Sequence, residues 1–385
     1  MATKRWLQAV RGGICIDTSR LNRILEVNQD DLDCRVQAGV TREQLNDYIR
    51  DTGLFFPVDP GANATLGGMT ATRASGTNAV RYGTMRENVL SLTVVTAGGE
   101  VLKTGTRARK SAAGYDLTRL FVGSEGTLGI ITEVGLRLYG MAEAMSAARV
   151  NFPDVESATR AAIEMIQFGI PVARVELLDA AYMRAVNTYS KTDYPEADTL
   201  FLEFHGTDAW VDQQAEMFGE IARENGGGEY VWAKREEDRQ QLWRARHTAY
   251  YAGLAMSPQS DGYVTDVCVP VSRLAECIVF AQKELEKTEL YSPILGHLGD
   301  GNFHLTIFIN PENPDELDSA RALNSRLVNY ALEVGGTCTG EHGIGMGKLE
   351  NMRQEHGDCA IDMMKTIKAA LDPDNIMNPG KLVDC

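Results

Sequence analysis

Two short glycine-flanked segments hold the residues best suited to chemistry. The first reads Gly296-His297-Leu298-Gly299-Asp300-Gly301-Asn302-Phe303-His304 and runs into the apolar stretch Leu305–Ile309. Its two histidines stand seven residues apart across a turn, so both imidazoles can converge on one point. The second, Gly340-Glu341-His342-Gly343-Ile344-Gly345, sets a carboxylate and an imidazole among glycines that let a ligand approach the backbone. Two histidines and one carboxylate make the three-ligand protein set of a catalytic divalent cation with an open position. The metal ligands expected on this pattern are His297, His304 and Glu341, with zinc in first place and manganese or iron as alternatives. A plainer reading makes each histidine a turn residue satisfied by its own loop. Against it, three of the six histidines lie in these two segments, while His205, His247 and His356 sit in ordinary helical or strand contexts.

His342 adjoins a proposed ligand and is expected to point elsewhere, which suits it to act as a general base near the ordinary histidine pKa of about 6.5. Such a base suits reactions in which a hydroxyl gives up its proton, and a cation holding that oxygen lowers the proton's pKa. A ligand carboxylate, were one bound, is best held by a planar guanidinium. Trp243-Arg244-Ala245-Arg246-His247 lies on a long helical pattern in which Arg246 and Tyr250 share a face at i, i+4. Arginines on such helices are commonly solvated, so spacing alone does not assign Arg246.

The nucleotide-binding signatures are missing. Gly123-Ser-Glu-Gly126-Thr-Leu-Gly129 has the wrong spacing for a dinucleotide fingerprint, and Gly343-Ile-Gly345-Met-Gly347-Lys348 lacks the spacing and following Ser/Thr of a phosphate loop. In their place stand separate glycine segments: Pro60-Gly61-Ala62, Leu66-Gly67-Gly68-Met69, Ser75-Gly76-Thr77, Tyr82-Gly83 and the Gly123–Gly129 loop. They read equally as plain turns or as backbone that wraps a long anionic dinucleotide.

The elements that must position these residues fall into two textures. In the first third, Thr41-Arg-Glu-Gln44 is a capping box before a helix that stops at Gly53, and Leu90 to Thr96 turns through Ala97-Gly98-Gly99-Glu100 into Val101–Lys103 as a hairpin. From about Ala142, strands alternate with longer helices: Ala148–Phe152, Asp154–Gly169, Val172–Leu178 and Leu200–His205. A helix from Arg235 to about Ala255 precedes a strand over Tyr263–Val269. A helix from Ser272, an apolar stretch Ser292–Leu295, a helix to Val334 and a helix near Ile361–Leu371 complete the pattern. The expected organisation is two domains, 1–141 and 142–385, with 350–385 returning to the first.

A length of 385 residues suits two packed cores. The net charge of −15, with no basic block, disfavours nucleic acid and anionic lipid as direct partners. Seven cysteines without a C-x-x-C pair point to reduced thiols. The opening Met1-Ala-Thr-Lys-Arg-Trp-Leu-Gln-Ala-Val lacks the apolar run of a signal peptide, and no later segment approaches a membrane span.

Taken in order, several strings resemble one known family, the FAD-linked oxidases of the vanillyl-alcohol-oxidase (PCMH-type) fold, in the branch of the D-lactate dehydrogenases and glycolate oxidase subunits. They are Pro57-Val-Asp-Pro-Gly-Ala, Thr65-Leu-Gly-Gly-Met, Arg81-Tyr-Gly-Thr-Met, Gly123-Ser-Glu-Gly-Thr-Leu-Gly-Ile, Gly296 through His304, Gly340-Glu-His-Gly-Ile-Gly, and Leu371-Asp-Pro-Asp-Asn-Ile-Met-Asn-Pro-Gly-Lys. The resemblance implies an α+β chain with a PCMH-type FAD-binding domain and a C-terminal cap domain built on an antiparallel sheet. It assigns His297, His304 and Glu341 to the metal, His342 to the base, and Arg246 with Tyr250 to the substrate. It gives FAD to Pro60, Gly61, Ala62, Leu66, Gly67, Gly68, Ser75, Gly76, Thr77, Tyr82, Gly83, Glu125, Gly126, Thr127, Gly129, Ile130, Ile131 and Asn378.

Relatives specific for D-2-hydroxyglutarate are expected to carry a lysine in the strand that here reads Tyr263-Val-Thr-Asp-Val-Cys-Val-Pro, so its absence favours a monocarboxylate such as D-lactate. Only eleven residues precede Gly12, so the flavin domain is expected to be truncated at its N-terminus. The implied activity is oxidation of a D-2-hydroxy acid, D-lactate to pyruvate, with electrons passing to a quinone, a cytochrome or an electron-transfer flavoprotein. The expected location is cytoplasmic or peripheral to the inner membrane, and mitochondrial in a eukaryote. Assembly as a homodimer, or as a hetero-oligomer with a related subunit, stays open. The competing readings are a cofactor-deficient scaffold subunit of a glycolate-oxidase-like complex and a flavin-independent metal hydrolase.

Overall fold

The computed structural model describes Ala9 and residues 11–384. The rest of the opening segment weighed for a leader, and Cys385, lie outside the described residues. The chain divides into two compact units: residues 1–78, 82–141 and 341–385 form one, and residues 79–81 and 142–340 the other.

The first unit is built on a five-stranded sheet in the order Ile24–Asn28, Asp33–Gln37, Ile130–Arg137, Val89–Val95, Val101–Lys103, with every neighbouring pair antiparallel. The period of two in these strands turns Val36, Leu92, Val94, Val134 and Leu136 inward, against Leu45 and Ile49 of the helix Arg42–Ile49 and Leu66 of the helix Leu66–Thr72. Thr41 and Gln44 form the reciprocal capping box at the start of the first of these helices, and Gly53, at φ 73°, closes the turn that follows it.

The last segment of the chain completes this core. The helical stretch Leu349–Leu371 is broken at Gly357 (φ 76°, ψ 167°), so it is two helices in sequence, longer than the expected Ile361–Leu371. Its first half buries only Met352, and no apolar stripe announces it. Beyond the break, the ammonium of Lys368 is buried and donates to the carbonyls of Thr127 and Met377 and to the Asp372 carboxylate.

The second unit is an eight-stranded antiparallel sheet in the order Tyr230–Ala233, Ala144–Phe152, Asp198–Gly206, Val172–Leu178, Ile294–His297, Asn302–Ile309, Asp261–Val264, with Val267–Cys268 also pairing onto Asn302–Ile309. Alternation sorts its two faces. Phe204 packs on Phe218 of the helix Asp208–Glu224, whereas Phe201, of opposite parity, packs on Trp243 of the helix Glu236–Met256. The helix Ala180–Ser190 shares the second face with Glu236–Met256.

One expected strand differs. Tyr263–Val269 is interrupted at Thr265–Asp266, where the Thr265 hydroxyl accepts the Leu305 amide in place of a ladder bond and the Thr265 carbonyl accepts from His304 Nδ1. A continuous strand would have spent that carbonyl on the ladder. Among the described residues no helix is long and apolar enough to cross a membrane.

Candidate active site

The antiparallel pairing of Ile294–His297 with Asn302–Ile309 sets Leu295 opposite His304 and His297 opposite Asn302. With a period of two, both imidazoles therefore lie on one face of the sheet, the face covered by Glu236–Met256. Their ring centroids are 5.5 Å apart at an interplanar angle of 81°, and both residues are buried. The turn between the strands demands a glycine at 301: its φ is 77°, and a Cβ there would come within 2.0 Å of the Val269 carbonyl oxygen.

Each ring is fixed through Nδ1. His304 Nδ1 lies 2.8 Å from the Thr265 carbonyl, which can only accept, so Nδ1 carries the proton and Nε2 the lone pair. His297 Nδ1 lies 2.6 Å from Oε1 of Glu176, a fully buried residue of the strand Val172–Leu178. Burial alone would raise the Glu176 carboxyl. The charges of His297 and Arg246 and their hydrogen bonds outweigh it and hold the group below the usual carboxylate range. An ionised Glu176 makes His297 Nδ1 the donor as well.

Glu176 is the residue that sequence reasoning missed. It sits in Val-Ala-Arg-Val-Glu-Leu-Leu, where a single carboxylate looks like one polar interruption of a core strand. Its other oxygen, Oε2, accepts from Arg246 Nε at 2.8 Å. The Arg246 side chain is 17% exposed, and neither of its Nη nitrogens has a partner among the described residues, so the end of the guanidinium is available to a ligand. Tyr250, one turn on, is half-buried against Phe308 and lies over Gly262, where a Cβ would come within 2.8 Å of its ring.

The remaining two groups arrive by way of Gly340. A Cβ on Gly340 would come within 2.3 Å of Asn302 Nδ2, and the preceding Thr339 hydroxyl donates to Asp266 Oδ2 at 2.6 Å. One peptide further on come Glu341 and His342, both half-buried and grouped by contact with the first unit. His342 does not point away from Glu341, as its adjacency suggested. The backbone at Glu341–His342 is bent rather than extended, and Gly343 at φ 79° continues the turn, so neighbouring side chains share a side; His342 Nε2 is 3.7 Å from Glu341 Oε1.

The residues assigned to FAD divide into two groups. Gly76 lies so close to Asp59 that a Cβ would meet its carbonyl oxygen at 1.8 Å, and Asn78 Nδ2 donates to the Pro57 carbonyl. The segments Pro60-Gly61-Ala62 and Ser75-Gly76-Thr77 are therefore neighbours. A bridge between Thr41 and Thr65 ties in the start of Leu66-Gly67-Gly68. Gly61, Ala62 and Gly68 are exposed, so backbone in this strip is open to solvent. Tyr82 packs edge-on against Phe55 and Tyr139, with Gly83 beside Glu87.

The Gly123–Ile131 segment has protein partners instead. The Glu125 carboxylate accepts from the amides of Ile344 and Gly345, and its carbonyl accepts from Asn378 Nδ2. Thr127 donates to the Ser124 carbonyl. A Cβ on Gly129 would strike Val94, and Ile130 and Ile131 begin a strand. Gly126, at φ 73°, adjoins Asn378.

The family described as FAD linked oxidases, C-terminal domain, is matched by residues 141–382, and a FAD binding domain by residues 3–105. The chain belongs to the FAD-linked oxidases, and its fold is α+β, a PCMH-type FAD-binding domain with a C-terminal oxidase domain. Over 379 residues it is 52% identical to a probable mitochondrial D-lactate dehydrogenase of Danio rerio, covering 98% of this chain and 76% of that protein. Over 375 residues it is 48% identical to the mitochondrial D-lactate dehydrogenase (cytochrome) of Arabidopsis thaliana, covering 97% of this chain and 66% of the relative. It therefore spans about two thirds of the length of the plant protein. Among solved structures, 4-ethylphenol oxidase from Gulosibacter chungangensis superimposes with a TM-score of 0.75 at 18% identity over 94% of this chain and 79% of that one, a likeness of fold.

Proposed function

We propose that this protein oxidises D-lactate to pyruvate, using FAD and a divalent cation, zinc in first place, held by His297, His304 and Glu341. The observation that carries the reading is the pair of buried imidazoles on one face of the sheet, each fixed through Nδ1, with a guanidinium on the same carboxylate as His297 that is anchored at Nε and open at its Nη end. FAD is assigned to residues 1–141, with residues 350–385 returning to that domain. Bound FAD supplies a two-electron acceptor, and a bound cation supplies Lewis acidity.

The chain's own residues do the rest. Arg246 holds the substrate carboxylate through its two Nη nitrogens, a bidentate match that fixes the orientation of Cα. Tyr250 fills the adjoining wall on the same helix face. His342 accepts the hydroxyl proton at Nε2, so that the carbinol loses its O–H and C–H hydrogens while the carbon–oxygen bond gains its second component. The electrons then leave to an acceptor for which a cytochrome is the leading choice, by likeness to the name of the plant relative.

The test is anaerobic addition of D-lactate to the purified protein loaded with FAD and zinc. Flavin absorbance bleaches with D-lactate and stays with L-lactate or D-2-hydroxyglutarate. His342→Ala lowers turnover by roughly 100-fold or more with zinc content unchanged. Flavin that binds but does not bleach rejects the activity, and turnover retained in the variant removes His342 as the base.

A further inference from the structure

We propose that Glu176 is a positioning residue serving two partners at once: it holds His297 in the metal-binding tautomer and Arg246 in the carboxylate-binding orientation, so that cation and substrate affinity depend on one buried carboxylate. The inference rests on the function proposed above and concerns only residues of the second unit.

The geometry is specific. Pairing of Val172–Leu178 with Ile294–His297 sets Glu176 directly opposite His297, on the same face of the sheet. Oε1 lies 2.6 Å from His297 Nδ1 and Oε2 lies 2.8 Å from Arg246 Nε. Each partner takes its own oxygen. Glu176 is fully buried, so no water replaces either bond.

Two consequences follow for the site. A carboxylate on Nδ1 of a ligand histidine fixes the ring and makes Nε2 a better donor to a cation, and loss of such a partner commonly weakens metal binding about 10-fold to 100-fold. The same carboxylate occupies Nε of Arg246 and leaves the Nη pair turned outward. Without it the guanidinium can rotate about its long stem, and bidentate capture of a carboxylate loses its preset direction.

Glu176→Gln is the discriminating variant. Its amide has nearly the same size but only one acceptor, so it can serve His297 Nδ1–H or Arg246 Nε–H and must present an N–H to the other. Glu176→Asp keeps both acceptors and draws them back by one methylene.

Zinc affinity of the metal-free protein is measured by chelator competition, and steady-state constants for D-lactate are measured on the holoenzyme. For Glu176→Gln the expected result is zinc binding weaker by about 10-fold to 100-fold, with a KM for D-lactate raised by a larger factor than kcat is lowered. Glu176→Asp recovers part of the zinc affinity. Zinc affinity of Glu176→Gln within threefold of the parent, with an unchanged KM, overturns the proposal.

If neither variant folds, the unaltered metal-free protein decides. Its proton spectrum contains a strongly downfield imidazole N–H resonance, assigned to His297 by selective labelling, and absence of that resonance overturns the proposal. Zinc affinity and this resonance need no turnover. A protein that shows both and does not oxidise D-lactate refutes the activity and leaves the role of Glu176 standing.

Discussion

Replacing Lys368 with methionine tests how the terminal segment is locked into the first unit. The ammonium is buried, with its three donors spent on the Thr127 carbonyl at 2.9 Å, the Met377 carbonyl at 2.8 Å and the Asp372 carboxylate. Asp372 is equally buried and also accepts from the amides of Ile376 and Met377. Burial alone would raise its carboxyl, but Lys368 and those amides outweigh that and hold it below the usual range.

Lys368→Met fills the volume and strands the carboxylate without a counter-charge, which costs about 3–5 kcal/mol for a broken buried pair. At 1.4 kcal/mol per power of ten this is roughly a 100-fold to 4000-fold rise in the opening constant. Trp210, Trp232 and Trp243 all lie in the second unit, so tryptophan fluorescence would report mainly on the wrong unit. Hydrogen exchange by mass spectrometry on peptides covering 121–138 and 361–384 is the direct assay.

The double variant Lys368→Met/Asp372→Asn removes the stranded charge and recovers part of the loss. The sign with pH is fixed by the lowered Asp372 carboxyl: its contribution is present above the unfolded value and disappears as pH falls through the folded value. Since the stranded carboxylate of Lys368→Met can take up a proton, the single variant approaches the parent on acidification. Exchange at pH 7 within threefold of the parent, or a double variant worse than the single one, would refute the reasoning.

Two further substitutions probe the second unit. Asp179 caps the helix Ala180–Ser190 through the Tyr182 amide, and burial, with the charge of Asp198 adding to it, raises its carboxyl to about 7. Its folded pKa lies above the unfolded one, so its contribution is whole below the unfolded value and is lost as pH climbs toward 7. Asp179→Asn keeps the cap and lacks that loss, and urea midpoints should show the variant gaining on the parent between pH 4.5 and 8; a constant difference between the two refutes it. Gly301→Ala forces a side chain into the left-handed region and against the Val269 carbonyl. It should cost at least about 2 kcal/mol in urea unfolding and weaken zinc binding, because the turn carries both histidine strands; unaltered zinc affinity would separate turn from site.

Where local chemistry decided the structure, the sequence was a sufficient guide. The capping box at Thr41 and Gln44, the strand Val172–Leu178 and the hairpin after Thr96 stand where residue pattern placed them. The departures have long-range causes. Thr265 keeps its amide bond to the Leu305 carbonyl but gives its own carbonyl to His304, some forty residues on, and no neighbour in sequence signals that. The first half of Leu349–Leu371 has too little apolar surface to announce a helix. In the site, the spacing of His297 and His304 was visible, whereas the shared face that joins them to Glu176 comes from strand pairing. His342 was misjudged because alternation was assumed across a bend.

The order of synthesis bears on the three-part composition of the first unit. Residues 142–340 form an unbroken stretch and carry their own sheet, so they can fold as soon as they leave the ribosome. The unit made first must wait. Until residue 345 has emerged Glu125 lacks the two amides that its carboxylate holds, and until residue 368 has emerged the Thr127 carbonyl lacks its ammonium. The amino-terminal portion is thus begun earliest and finished latest, and a nascent chain halted anywhere before the final helix exposes an unfinished flavin-binding core to chaperones and proteases.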